Sequence, residues 1–197
     1  MLMTFSDIKT HLSRCRVGIA GAGGLGSNCA AALARCGVGT LVIADFDIIE
    51  ASNLNRQYYF TNQVGKLKTE ALKENIRKIN PDVAVINYQK ILDNQNITEI
   101  FSGCDVIVEA FDMADMKQML IETVQLKMAG TPVVAASGLA GWGKTEMIRC
   151  RKIDDTLYIC GDESSEISEE LPPMAPRVGM VANMQANIVV EILMKKG

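Results

Sequence analysis

The chain has 197 residues, enough for one α/β domain with a core of its own, and 48% of them are hydrophobic, as in an ordinary globular protein. No apolar run reaches the roughly 18 residues that a bilayer span requires, so a soluble protein with no membrane association is expected. A formal charge of −3 argues against a broad nucleic-acid-binding surface, which needs clustered Lys and Arg to neutralise phosphates, and leaves room for a local basic patch.

Residues 1–16 interleave Lys9, Arg14 and Arg16 with single apolar residues and lack the apolar core of a signal peptide, so a cytoplasmic protein is expected. A strand over 16–20 runs into Gly21-Ala22-Gly23-Gly24-Leu25-Gly26, and an Ala-rich helix over 27–36 follows, stopped by Gly37. A strand over 40–44 ends at Asp45. Then come a helix over 66–79 stopped by Asn80-Pro81, a strand over 84–88, a short helix over 98–101 and a strand over 105–109. A helix over 114–129 before Gly130, a strand over 132–136 and a last helix over 181–195 complete the series. The alternation predicts a Rossmann-like α/β fold, one domain over 1–197, with a mostly parallel sheet and helices on both faces. Residues 161–176 break the pattern with five carboxylates, no basic residue and three prolines. They read as a solvated acidic loop or as a mobile segment crossing an active site.

The strand, glycine loop and helix occur in the order a phosphate cradle requires. Gly21, Gly23 and Gly26 permit the tight turn, the close approach of phosphate oxygens and close helix packing, while the helix N-terminus directs N–H groups at the anion. Asp45 lies at the distance where an acid takes ribose hydroxyls. These features predict a nucleotide and leave NAD and ATP both open.

Other chemistries lack their residues. His11 is the only histidine, which argues against a Ser-His-Asp triad and multi-histidine metal sites, and no CxxC pair is present for zinc. The six scattered cysteines suit reduced thiols. Cys160, next to the acidic loop, reads as a small buried residue rather than a catalytic thiol.

The stretch Asp45-Phe46-Asp47-Ile48-Ile49-Glu50-Ala51-Ser52-Asn53-Leu54-Asn55-Arg56-Gln57 is more polar than a dehydrogenase needs here. Together with the glycine loop it resembles the ThiF/MoeB/HesA family, bacterial relatives of ubiquitin-activating enzymes. The family pattern is a GxGGLG loop followed by D-x-D-x-(I/V)-x-x-S-N-L-x-R-Q. Val64-Gly65-Lys66-Leu67-Lys68, Ile79-Asn80-Pro81 and the strand leading to Asp112 extend the likeness over most of the chain.

The resemblance implies an adenylyltransferase that uses ATP and Mg2+ to activate the C-terminal carboxylate of a small ubiquitin-fold sulfur-carrier protein. Attack of one anion on another needs cations and positioning rather than a covalent nucleophile. By resemblance the nucleotide contacts are Gly21, Gly23, Gly24, Gly26, Asp45, Asp47, Asn53, Arg56 and Lys68. Arg56, Lys68 and Asp112 are the catalytic set, with Asp112 either a magnesium ligand or placed in the surroundings of the attacking carboxylate. Lys66 reads as a solvated helical lysine, Asp112 alternatively as a helix N-cap, and Asp47 as a metal ligand or a turn cap.

The chain departs from longer family members. It lacks their two zinc-binding CxxC pairs, so no zinc site is expected. It also lacks a recognisable N-terminal arginine segment, for which Arg14 or Arg16 are the available replacements, and it carries Glu109-Ala110-Phe111-Asp112-Met113 where the family has Asp-Cys-Thr-Asp-Asn. The compact pattern resembles the short branch linked to thiamine biosynthesis, which implies a ThiS-like carrier with a Gly-Gly end and a homodimer. The competing readings are a molybdopterin-synthase-type carrier, an NAD-dependent oxidoreductase, a transfer-RNA-modifying relative and a non-catalytic binding module.

Overall fold

The computed structural model describes residues 3–195. Among these, seven strands form one sheet: β1 (Arg16–Ala20), β2 (Thr40–Ala44), β3 (Ala84–Tyr88), β4 (Val106–Glu109), β5 (Val133–Ala136), β6 (Arg149–Lys152) and β7 (Leu157–Gly161). The order is β3-β2-β1-β4-β5-β7-β6, and every neighbouring pair is parallel except β6 with β7. The five strands expected from sequence are present to within a residue at each end, and the mostly parallel Rossmann-like sheet is borne out. β1, β2, β4 and β5 are nearly continuous runs of buried apolar residues, as parallel strands covered on both faces must be.

The helices are α1 (Phe5–Leu12), α2 (Gly24–Cys36), α3 (Lys68–Ile79), α4 (Ile97–Ile100), α5 (Ala114–Lys127) and α6 (Ala175–Lys195). On one face Leu12, Leu33, Leu72 and Val189 from α1, α2, α3 and α6 share a core with Val17 and Ile19 of β1. On the other, Ile97, Leu120 and Val124 from α4 and α5 surround Phe101, each burial contributing roughly 1.5–3 kcal/mol. A Cβ on Gly18 would lie 2.6 Å from the Phe101 ring, so only the missing side chain lets α4 approach β1 this closely.

Four features differ from expectation. The hairpin β6–β7 was not expected, because Arg149-Cys150-Arg151-Lys152 has no hydrophobic alternation. It is an edge strand, where basic residues guard the open backbone. α1 was not expected either, although Thr4 and Asp7 cap it reciprocally: the Asp7 N–H donates to Thr4 Oγ1 and the Thr4 N–H to Asp7 Oδ2. His11 within it is tied to the Leu193 carbonyl at 2.9 Å, which anchors α1 to α6. α6 begins six residues early, since Pro176 sits in its first turn, where no N–H is required. That trims the acidic loop to 162–174.

Candidate nucleotide site at the strand reversal

The strand order reverses between β1 and β4, and a cleft of about 720 Å³ opens there at the C-terminal ends of β1, β2 and β4. Crevices in open α/β sheets form at this point because adjacent connections leave to opposite faces. Gly21, Gly23 and Gly24 line it. Gly21 has φ +98°, in the left-handed region that favours glycine. Gly26 lies in the first turn of α2, outside the wall, where a Cβ would fall 1.9 Å from the Gly21 carbonyl oxygen. There its missing side chain lets the loop close against α2.

The loop is fixed through the two peptide groups that flank the Ala22 Cα. The Ala22 N–H donates to Asp45 Oδ2 at 2.6 Å, and the Ala22 carbonyl accepts from the Tyr59 hydroxyl at 2.7 Å. Asp45 accepts a second backbone bond from the Asp47 N–H at 2.7 Å. Burial pushes the Asp45 carboxyl above the ordinary aspartate value, against the opposing pull of these bonds and of Lys68. Burial likewise lifts the Tyr59 hydroxyl well above its usual range, with Asp45 and Asp47 adding to it. Tyr59 was not among the sequence candidates, since no local pattern ties position 59 to position 22.

Three basic and three acidic side chains line the cleft: Arg56, Lys68 and Lys90 with Asp45, Asp47 and Asp112. Lys68 opens α3 and is only 6% exposed, and its Nζ lies 2.7 Å from Asp47 Oδ2. A buried ammonium needs such a partner. The pair is aligned by the backbone, because the Lys68 N–H donates to the Asp47 carbonyl and Ile48 bridges Leu67. Asp47 therefore serves as the counter-ion of Lys68. Lys66, by contrast, pairs with Glu74 on the surface, away from the cleft.

Arg56 lays its stem against Gly24 and donates Nη1 to Asn55 Oδ1 at 2.8 Å. Asn53, expected at the triphosphate, is not on the wall. Its Oδ1 accepts the Glu50 N–H at 3.2 Å and closes the 3-10 turn Ala51–Asn55 that carries Arg56. Gln57, the next residue after Arg56, is on the wall. Its Oε1 is buried without a hydrogen-bond partner, at a cost of about 1–3 kcal/mol.

Asp112 is exposed at the cleft mouth and bonds to no described residue. It is not the N-cap of α5, a position held by Met113 without a side-chain bond. Behind it Glu109 is fully buried, with Oε1 accepting the Phe111 N–H at 2.7 Å and Oε2 meeting Lys117 Nζ at 2.5 Å. Burial pushes the Glu109 carboxyl up and Lys117 pulls it back. This pair fixes the turn that presents Asp112. On the far side, Asp162 and Arg177, each 3% exposed, form a buried ion pair that ties the acidic loop to α6.

Arg16 opens β1 at the end opposite the glycine loop, where its N–H donates to Asp105 Oδ2, so its own side chain does not serve this cleft. Arg14 is exposed in the turn after α1. Cys160 is fully buried opposite Cys150, and burial raises its thiol far above the ordinary value, consistent with a packing role. Among the described residues no group of three or more His, Cys, Asp or Glu is arranged to hold a metal, and no helix is long and apolar enough to cross a membrane.

The chain is 33% identical over 192 residues to the adenylyltransferase and sulfurtransferase UBA4 of Candida glabrata, covering 94% of this chain and 44% of that protein. It thus spans less than half the length of that relative. Escherichia coli tRNA N6-threonylcarbamoyladenosine dehydratase, TcdA, solved with ATP, superposes with a TM-score of 0.86 at 20% identity, over 96% of this chain and 89% of that one. E. coli MccB, solved with MccA-N7isoASN, gives 0.72 at 24% identity over 96% and 60% of the two chains. At these identities the two structures speak for the fold alone. The ThiF family matches residues 3–197, and the chain belongs to that family.

Proposed function

We propose that this chain is an ATP-dependent adenylyltransferase that activates the C-terminal carboxylate of a ThiS-like, ubiquitin-fold sulfur-carrier protein in thiamine biosynthesis, acting in the cytoplasm as a homodimer. The observation that carries the reading is Lys68: a buried ammonium beside a glycine loop, held by one half-exposed carboxylate and facing the cleft. A dinucleotide used for hydride transfer needs no cation there. The name of the Candida glabrata relative joins adenylyl transfer to sulfur transfer, which supports a sulfur carrier over other acyl partners.

In the reaction a carboxylate oxygen of the carrier attacks the α-phosphorus of ATP. The new bond is an acyl–phosphate anhydride, the bond to the β-phosphate oxygen breaks, and its electron pair leaves on pyrophosphate. No proton is transferred. Lys68 and Arg56 offset the charge gathering on the phosphates, and losing one such fixed donor costs on the order of 100- to 1,000-fold in rate. The glycine loop holds the phosphates in line. Asp112, a free carboxylate at the mouth, suits Mg2+ that takes one protein oxygen and completes its shell with phosphates and water. When bound, the ion supplies charge neutralisation on the leaving pyrophosphate.

ATP–pyrophosphate exchange tests this with three additions in turn: a ThiS-like carrier, a molybdopterin-synthase-type carrier and transfer RNA. Exchange that requires the ThiS-like carrier and vanishes in Arg56→Ala and Asp112→Ala is the expected result. Exchange driven by another addition reassigns the partner, and none with any of them removes the activity.

A further inference from the structure

The two edges of the sheet are finished differently. β6 carries Arg149, Arg151 and Lys152, charges of the kind that keep an edge strand from pairing with another chain. β3, at the other edge, is paired with β2 alone and has no charged residue between Asp82 and Lys90. Its Ile86 is 37% exposed. The bonds to β2 show which backbone groups face outward. The Ala84 N–H donates to the Gly39 carbonyl at 2.9 Å, and the Asp45 N–H donates to the Tyr88 carbonyl at 3.1 Å. In a parallel ladder this commits Ala84, Ile86 and Tyr88 to β2 and turns the N–H and C=O groups of Val85 and Asn87 to the open edge.

An antiparallel strand that takes up those groups must set outward residues opposite one another. For a second copy of β3, one such register also matches the charges. With Val85 of each copy opposite Asn87 of the other, Ile86 faces its own counterpart, and Asp82 of each copy meets Lys90 of the other. Asp82 and Lys90 are exposed, and neither side chain bonds to any described residue. The next register in either direction sets Asp82 against Tyr88 or Leu92 and leaves both charges unmatched.

We infer that β3 is the interface of a two-fold-symmetric pair of chains, joined antiparallel so that one sheet runs through both copies and Asp82 of each holds Lys90 of the other. A two-fold interface is self-complementary, so every contact occurs twice. The pairing gives the homodimer of the proposed function its interface and rests on that reading. Lys90 also lines the nucleotide cleft, so each copy reaches the rim of the other's site.

The test is sedimentation velocity of the full chain over a concentration series, with a thermal melt of every variant and pyrophosphate exchange measured separately. A strand pair of this size makes a weak dimer whose share rises with concentration. Ile86→Lys sets two ammonium side chains on Cα atoms about 4.5 Å apart, and it is expected to sediment as a monomer throughout. Asp82→Lys and Lys90→Asp are each expected to weaken association about tenfold, and the double variant Asp82→Lys with Lys90→Asp to restore it. Both charge positions are exposed, so the swap decides the register independently of how well Ile86→Lys folds. A wild-type dimer that Ile86→Lys leaves intact, or a double variant that associates no better than its single variants, overturns the interface and leaves the homodimer standing. Wild-type protein that stays monomeric overturns both. A wild-type dimer broken by Ile86→Lys but without carrier-dependent exchange upholds the interface and overturns the adenylyltransferase reading alone.

Discussion

The two walls of the cleft are held by different means. The glycine-loop wall is fixed by short hydrogen bonds to the two peptide groups flanking Ala22 and by the backbone-aligned Asp47–Lys68 pair. The opposite wall is made by two loops, one after β5 with Leu139 and one after β7 with Ile167 and Pro173, joined by bonds such as the Gly141 N–H to the Pro172 carbonyl and tied to α6 by the buried pair Asp162–Arg177. Around it Trp142, Ile167 and Met174 stay exposed. A phosphate cradle gains from being formed before its ligand arrives, because ordering it on binding costs affinity. In the proposed function this second wall is the one that admits the carrier's tail, with the buried ion pair as its latch.

The comparison breaks first at the latch. Asp162→Ala leaves the Arg177 guanidinium buried and unpaired, with an expected loss of about 3–5 kcal/mol in a denaturant titration. Burial raises the Asp162 carboxyl, but bonds from Ser165, Ser164 and Arg177 outweigh it and hold the group below the ordinary aspartate range. A depressed folded value contributes stability above the unfolded value, roughly 3.9, and loses it as pH falls further. The stability gap between wild type and Asp162→Asn should therefore be flat from neutral pH down to about 4 and narrow only below that. Asp45 and Glu109, both raised, behave oppositely: their charged forms are the costly ones, so the cradle side is relieved rather than weakened by mild acid.

The cradle is the next to fail. Gly26→Ala forces the loop away from α2, with an expected cost of about 1–3 kcal/mol and loss of ATP binding by calorimetry. Tyr59→Phe removes the bond to the Ala22 carbonyl. About 1 kcal/mol of stability and a severalfold rise in KM for ATP, with kcat little changed, is expected. Lys66→Ala, which touches only the exposed Glu74, should leave both melting temperature and pyrophosphate exchange at wild-type values.

Much of the sheet was legible because buried parallel strands write themselves as apolar runs bounded by turn residues. The β6–β7 hairpin was not, since an edge strand of Arg149-Cys150-Arg151-Lys152 answers to solvent on one side and carries no period. At the site, motif order pointed to Arg56, Lys68 and Asp112, which the fold brings to one cleft, but a motif names residues without their directions. Asn53 turns back to its own loop, and Gln57 and Tyr59 face the glycines, because the 3-10 turn at Ala51–Asn55 decides which side chains point inward. Glu109 and Lys117 escaped notice for a related reason. Their pairing spans a strand end and a helix and exists only after β4 and α5 have packed.

In the proposed reaction the Asp47–Lys68 pair also bears on turnover. The free protein carries its own tethered counter-anion, so an arriving phosphate exchanges for a carboxylate instead of stripping water from a bare ammonium. When pyrophosphate departs in that reaction, the same carboxylate, 2.7 Å from the ammonium in the free protein, takes the lysine back, which favours product release over product retention.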